Sequence, residues 1–148
     1  MRDENQRLLD EAAIRRVMDR YCHTVDRGSA DDVAVLFADE GALVVFGEVH
    51  EGREAVRQWY ANYHANFRTK LESLRHKISN VLIEFEGDDA ARAVSYMDAD
   101  GVIKGSEEVL PGIGRYDDQF VREGGEWVFG RREIVNYQIS PVLSELLS

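Results

Sequence analysis

The chain carries a single cysteine, so it cannot close an internal disulfide. Cys22 lies among apolar helix positions, where a thiol is expected to be buried and inert rather than nucleophilic. No run of 18 apolar residues occurs, which excludes a membrane-spanning helix. The opening Met1-Arg-Asp-Glu-Asn-Gln lacks the apolar segment of a secretory signal, and with the lone thiol this points to a cytoplasmic protein. Basic residues are also short: 18 Lys and Arg stand against 28 Asp and Glu, a net charge of −10, and they are interleaved with acids. Without clustered cations the chain offers nothing to a phosphate backbone, so nucleic acid is excluded as a partner, and the excess negative charge serves solubility.

Metal and nucleotide motifs are missing too. The four histidines, His23, His50, His64 and His76, include no pair at zinc-ligand spacing. Asp98-Ala-Asp100-Gly101 starts like a calcium loop, but the glycine and the later ligands stand at the wrong offsets. Gly112-Ile-Gly114 lies within a strand pattern rather than opening a helix, and neither a phosphate-binding loop nor Gly-x-Ser-x-Gly occurs. Any chemistry is therefore expected to run without cofactor or metal.

What is present fits one ordinary domain over residues 1–148. With 148 residues, 44% of them hydrophobic and 31% charged, the chain is long enough to bury about 68–70% of its unfolded surface. Leu9, Ile14, Val17, Met18, Tyr21, Cys22 and Val25 recur at three- and four-residue spacing, which predicts an amphipathic helix over about 8–26, closed by Gly28. Ser29 and Asp32 form a capping pair for a short second helix that turns Val33, Leu36 and Phe37 inward and ends at Gly41. A short β-run from Ala42 to Phe46 and a loop punctuated by Gly47 and Gly52 come next. Val56, Trp59, Tyr60, Tyr63 and Phe67 then mark a third helix.

After that the period changes to two. Strands are expected over Leu74–Phe85 and Ala90–Asp98, joined at Glu86-Gly-Asp-Asp89, and over Ile113–Arg122 and Trp127–Tyr137, joined at Glu123-Gly-Gly-Glu126. Residues 99–109 read as a polar loop, and Pro141 breaks a short tail. Three helices followed by an antiparallel meander is an α+β pattern, in which a curved sheet wraps the first helix and leaves a pocket between them.

Three side chains could meet in that pocket. Tyr21 lies on the apolar stripe of the first helix, and Asp26 follows at its edge, near a helix C-terminus whose macrodipole disfavours an anion. His76 alternates with Leu74 and Ile78 and so shares the inward face of its strand. Singly, these read as a core aromatic, a surface acid and a hydrogen-bonded core histidine. Together they make a site, because a carboxylate that holds one imidazole nitrogen orients the other as a general base or acid. Such catalysis contributes about 10²–10⁴-fold, on the order of 3–5 kcal/mol of barrier. That suffices for an activated elimination or an enolisation, not for a demanding hydrolysis. Tyr116, Asp118 and Arg132 form a second group, in which Arg132 either pairs with Asp118 to brace the sheet or enters the pocket to neutralise an oxyanion. Arg131, of opposite strand parity, then faces solvent. Trp59, Tyr63, Met97 and Tyr116 are the candidate substrate contacts, with Phe67 and Leu110 shaping the pocket beside them.

Several stretches carry a family resemblance: Arg20-Tyr21-Cys-His-Thr-Val-Asp26-Arg-Gly28, Val35-Leu-Phe37-Ala-Asp39, Gly52-Arg53-Glu-Ala55, His76-Lys-Ile-Ser-Asn80, Gly114-Arg-Tyr116-Asp-Asp118, and Trp127 through Arg132. Over about residues 8–138 the chain resembles the SnoaL-like branch of the nuclear-transport-factor-2-like (NTF2-like) superfamily. The resemblance implies a cone-shaped α+β barrel, three N-terminal helices packed on a curved, largely antiparallel mixed sheet around a hydrophobic pocket. It also implies a homo-oligomer, dimer or trimer, with one sheet face buried against a second subunit.

Residue by residue, the resemblance reaches furthest toward scytalone dehydratase and the bile-acid 7α-dehydratases, whose Asp–His pair looks like Asp26 and His76. The bile-acid enzymes also have a tyrosine like Tyr21, an arginine like Arg132 and a further acid like Asp98. Ketosteroid isomerase differs: its catalytic aspartate falls where this chain has Val44 or Val45, so that mechanism is not inherited. The implied function is a cofactor-independent lyase or isomerase, dehydratase-like, acting on a small lipophilic hydroxylated or carbonyl compound. His76 would be the base, Asp26 its orienting partner, and Tyr21 the donor to an oxyanion or leaving hydroxyl. The fold leaves a second reading open, in which Tyr21, Asp26 and His76 are a core triad of a non-catalytic ligand-binding protein or of a small structural subunit of a ring-hydroxylating oxygenase.

Overall fold

The computed structural model describes residues 3–147. The first helix, α1 (Glu4–Arg27), starts ahead of its apolar stripe because Asp3 caps it, accepting the Gln6 main-chain N–H at 2.7 Å. The stripe runs through Ile14, Met18, Tyr21, Cys22 and Val25, as expected from the spacing. At its start the expectation fails. Leu9 is exposed and Asp10 takes the inward place, because Arg122 and the Trp127 indole N–H both reach the Asp10 carboxylate and compensate its burial.

Helix α2 (Ala30–Ala34) carries the expected reciprocal cap between Ser29 and Asp32 but is shorter than the sequence suggests. Phe37 opens strand β1 (Phe37–Val45) instead of facing inward from a helix. The sheet draws it out: Phe37 pairs with Phe129 of β6 (Glu126–Ile139), and the ladder is irregular between Phe37 and Ala42. Gly41 serves this irregular stretch rather than ending a helix, since a Cβ there would lie 2.8 Å from the Phe129 carbonyl oxygen. The segment between Gly47 and Gly52 is not a loop but the short strand β2 (Glu48–Glu51). It folds back on β1 through Phe46 and Gly47, both at positive φ (52° and 75°), the geometry of a type I′ hairpin.

Helix α3 (Arg53–Asn66) follows, then a single 3-10 turn and the long strands β3 (Leu71–Phe85), β4 (Ala90–Ile103) and β5 (Val109–Glu123). The expected polar loop over 99–109 shrinks accordingly, since β4 runs on to Ile103 and β5 begins at Val109. Pro141 does not break the tail. It occupies the first position of helix α4 (Pro141–Leu147), where its missing N–H has no partner to lose.

The six strands form one mixed sheet in the order β2-β1-β6-β5-β4-β3, antiparallel throughout except for β1 against β6. Register shifts in the β3–β4 and β5–β6 ladders bend it. Helix α1 packs against both β3 and β6 and so spans the inner face. No helix among the described residues is long and apolar enough to cross a membrane. Two apolar clusters fill the space between the layers. The larger is centred on α1 and α3, and the smaller consists of Phe67, Leu71 and Leu110 with Leu146 and Leu147 of α4 against it.

Candidate active site

Asp26 lies one helical turn beyond the buried Cys22, at the edge of the apolar stripe and in the last turn of α1. The carbonyls that end this helix are satisfied by Arg68, whose Nη1 donates to Val25 at 3.2 Å and to Gly28 at 2.7 Å, placing a cation where the helix end is negative. His76 comes from β3, turned inward as its alternation with Leu74 and Ile78 predicts. The two side chains meet. Asp26 Oδ1 lies 2.6 Å from His76 Nδ1, and Oδ2 accepts the His76 main-chain N–H at 2.9 Å. Only 13% of the histidine and 9% of the aspartate side chain remain exposed. Because a carboxylate only accepts, Nδ1 carries the hydrogen, and Nε2 of the neutral ring is left as the proton acceptor.

His76 lines a cavity of about 90 Å³ that lies between the two apolar clusters. Tyr21 and the four candidate substrate contacts, Trp59, Tyr63, Met97 and Tyr116, line it too. Asp26 stands behind the imidazole. The Tyr21 and Tyr60 hydroxyls share a hydrogen bond, buried between α1 and α3. Burial pushes the Tyr21 phenol up to about 12, against the pull of Arg132 and of the Tyr60 hydrogen bond.

Arg132 does not enter the cavity. It is fully buried and held by both Asp118 oxygens, at 2.7 and 2.9 Å, with its guanidinium 4.2 Å from the Tyr21 ring centre and 3.8 Å from that of Tyr116. Burial opposes its charge, but the Asp118 carboxylate more than offsets that and keeps the guanidinium protonated. Of the two placements open to Arg132, the structure has the brace: it pairs with Asp118 and backs the two tyrosines, and its candidacy as a catalytic, oxyanion-neutralising residue is corrected. Asp98 faces outward and is exposed, because its strand parity matches that of Asp100, which is engaged by Arg75 and Lys77 on the outer face. It cannot supply a second acid to the cavity. Cys22 is buried, which pushes its thiol up to about 11 and keeps it inert. Among the described residues, no three His, Cys, Asp or Glu side chains converge as metal ligands would.

Among the cavity residues that the sequence did not single out are Tyr60, Asn136 and Leu147. Tyr60 was legible as part of the α3 stripe, but its bond to Tyr21 was not. Asn136 shares the strand parity of Arg132 and Ile134, a signal that points it inward. Leu147 lines the cavity from α4, a helix the tail did not suggest.

A family model for the SnoaL-like domain matches residues 6–133. The chain belongs to this family. Several solved structures share the fold. A proposed scytalone dehydratase from Novosphingobium aromaticivorans is 24% identical with a TM-score of 0.80, over 92% of this chain and 89% of that one. A protein of unknown function with a cystatin-like fold from Nostoc punctiforme is 26% identical with a TM-score of 0.76, over 91% and 96%. A hexachlorocyclohexane dehydrochlorinase, LinA type 2, is 18% identical with a TM-score of 0.82, over 94% and 93%. No curated protein matches this SnoaL-like chain significantly.

Proposed function

We propose that this protein is a cofactor-independent lyase of the dehydratase type, acting on a small lipophilic hydroxylated or carbonyl compound. The observation that carries the reading is the double hold of Asp26 on His76, which leaves Nε2 as the acceptor beside an apolar cavity. His76 takes a proton from the carbon next to a carbonyl, that C–H electron pair becomes the new double bond, and the leaving group departs with its own pair. Asp26 fixes the ring and stabilises the imidazolium that forms. Tyr21 donates a hydrogen bond to the oxygen where negative charge develops. Two of the structural relatives bear the names of eliminating enzymes, a dehydratase and a dehydrochlorinase, in line with this chemistry.

The cavity limits the substrate. Its 90 Å³ falls below the roughly 150 Å³ of an apolar cavity that holds benzene. A single small ring therefore enters only as the lining moves outward, and Phe46, 54% exposed, is the lining side chain with the most room to do so. The test is turnover of small β-hydroxy ketones by the wild type and by His76→Ala and Asp26→Asn. Both variants are expected to lose turnover while keeping the wild-type circular dichroism, and full activity in either removes the mechanism.

A further inference from the structure

Tyr63 enters the same cavity from α3 with its hydroxyl uncommitted. Its ring stacks on Trp59 at 5.4 Å and 19° and meets Phe67 at 4.9 Å, so the phenol is fixed in place by its neighbours. Among the described residues its oxygen has no hydrogen-bond partner. Tyr21 differs. Its oxygen is tied to Tyr60, and if Tyr60 donates, the Tyr21 hydrogen is free to point into the cavity, strengthened by the bond behind it. Arg132 sits under the Tyr21 ring, 4.2 Å from its centre. The cavity thus presents two phenols in different settings. One is backed by a second hydroxyl and a cation, and the other stands without a hydroxyl partner, within electrostatic reach of Asp26 and lining the same cavity as His76.

We propose that Tyr63 is a second donor of the site and hydrogen-bonds the group that leaves, while the Tyr60–Tyr21 chain serves the carbonyl oxygen. The inference rests on the elimination reading above. An enolate oxygen keeps its charge through the intermediate and needs the phenol that a cation backs. A departing hydroxide needs a proton once, next to the imidazolium that can replace it. The balance closes on these groups. Nε2 of His76 gains the C–H proton, the C–O pair leaves with oxygen, and the Tyr63 proton completes water. The imidazolium then returns a proton to the Tyr63 oxygen, restoring both groups. Burial, with Tyr21 and Asp26 nearby, holds the Tyr63 phenol protonated well above the usual range until that demand arises.

The test uses 3-hydroxycyclohexanone, which offers both a carbonyl and a hydroxyl, and cyclohex-2-enone, which offers the carbonyl alone. Binding is measured by calorimetry in a His76→Ala background, where neither is turned over. Adding Tyr63→Phe, which keeps the stack on Trp59, is expected to weaken the hydroxyketone about five- to tenfold, the size of one neutral hydrogen bond, and to leave the enone unchanged. Adding Tyr21→Phe weakens both. An equal effect of Tyr63→Phe on the two ligands, no effect on the hydroxyketone, or no binding of either ligand overturns the proposal. Enone formation by the wild type separates the two claims. Enone formed at an unchanged rate by Tyr63→Phe keeps the elimination reading and removes Tyr63. A binding split without any enone keeps Tyr63 as a hydroxyl donor and ends the elimination reading.

Discussion

Asp26 grips His76 twice, taking the ring N–H at Nδ1 through one oxygen and the main-chain N–H through the other. The backbone bond fixes where the strand stands, and the ring bond fixes which nitrogen is free. Asparagine has one acceptor and can satisfy only one of these donors. Asp26→Asn is therefore expected to lower kcat by about 10²–10⁴-fold through loss of the tautomer and of the charge. Unchanged circular dichroism together with a steady-state rate near wild type would place the pair in the core rather than in catalysis.

Arg132 and Asp118 are buried together, so removing one partner strands the other without compensation. Arg132→Met or Asp118→Leu alone is expected to cost about 3–5 kcal/mol in urea unfolding, and the double variant is expected to recover most of it. Additive losses in the double-mutant cycle would show that the two side chains act separately.

His64 gives the fold an acid-sensitive point. Burial, with Arg68 beside it, lowers this imidazole from 6.5 to about 4. Above pH 6.5 both folded and unfolded forms are neutral and the residue is silent. Between 6.5 and about 4 the unfolded chain takes up a proton that the folded chain refuses, so stability falls across that window and the loss is complete below it. His64→Gln should flatten the fall in urea midpoint between pH 7 and pH 5. An identical pH dependence in the variant would assign the effect elsewhere.

The outer face of the sheet is the expected subunit contact. Leu82, Tyr96, Ile113 and Tyr137 are exposed there. Arg75, Lys77, Arg115 and Arg131 on that face are matched by Asp100, Asp117 and Glu133, leaving it near neutral on a chain of net charge −10. A second copy, itself strongly negative, meets least repulsion at this face. Light scattering is expected to give a multiple of 16.9 kDa, reduced to one copy by Tyr96→Glu with Ile113→Glu. A wild-type monomer would refute this.

Where sequence spacing and tertiary packing agreed, the contact between Asp26 and His76 was legible before the fold was seen. Cys22 and Asp26 share a helix edge, and Leu74, His76 and Ile78 share a strand face, so their meeting followed once the sheet wrapped α1. Parity also separated Arg131 from Arg132, yet it could not say whether Arg132 ended at Asp118 or in the cavity, because that depends on side-chain reach. Strand β2 was hidden because Glu48-Val-His-Glu is short and polar. The outward-facing Asp98 and Asp100 made the end of β4 look like a loop. Leu9 and Asp10 exchanged places because partners distant in sequence, Arg122 and Trp127, compensate a buried carboxylate.

The central claim is that His76 removes a proton from carbon next to a carbonyl, and hydrogen–deuterium exchange reads that step without a leaving group. Cyclohexanone in D₂O, followed by proton NMR with the purified protein, is expected to lose its α-proton signals faster than in buffer. With His76→Ala the rate should return to that of buffer. Equal exchange rates with the wild type and with His76→Ala would contradict the account.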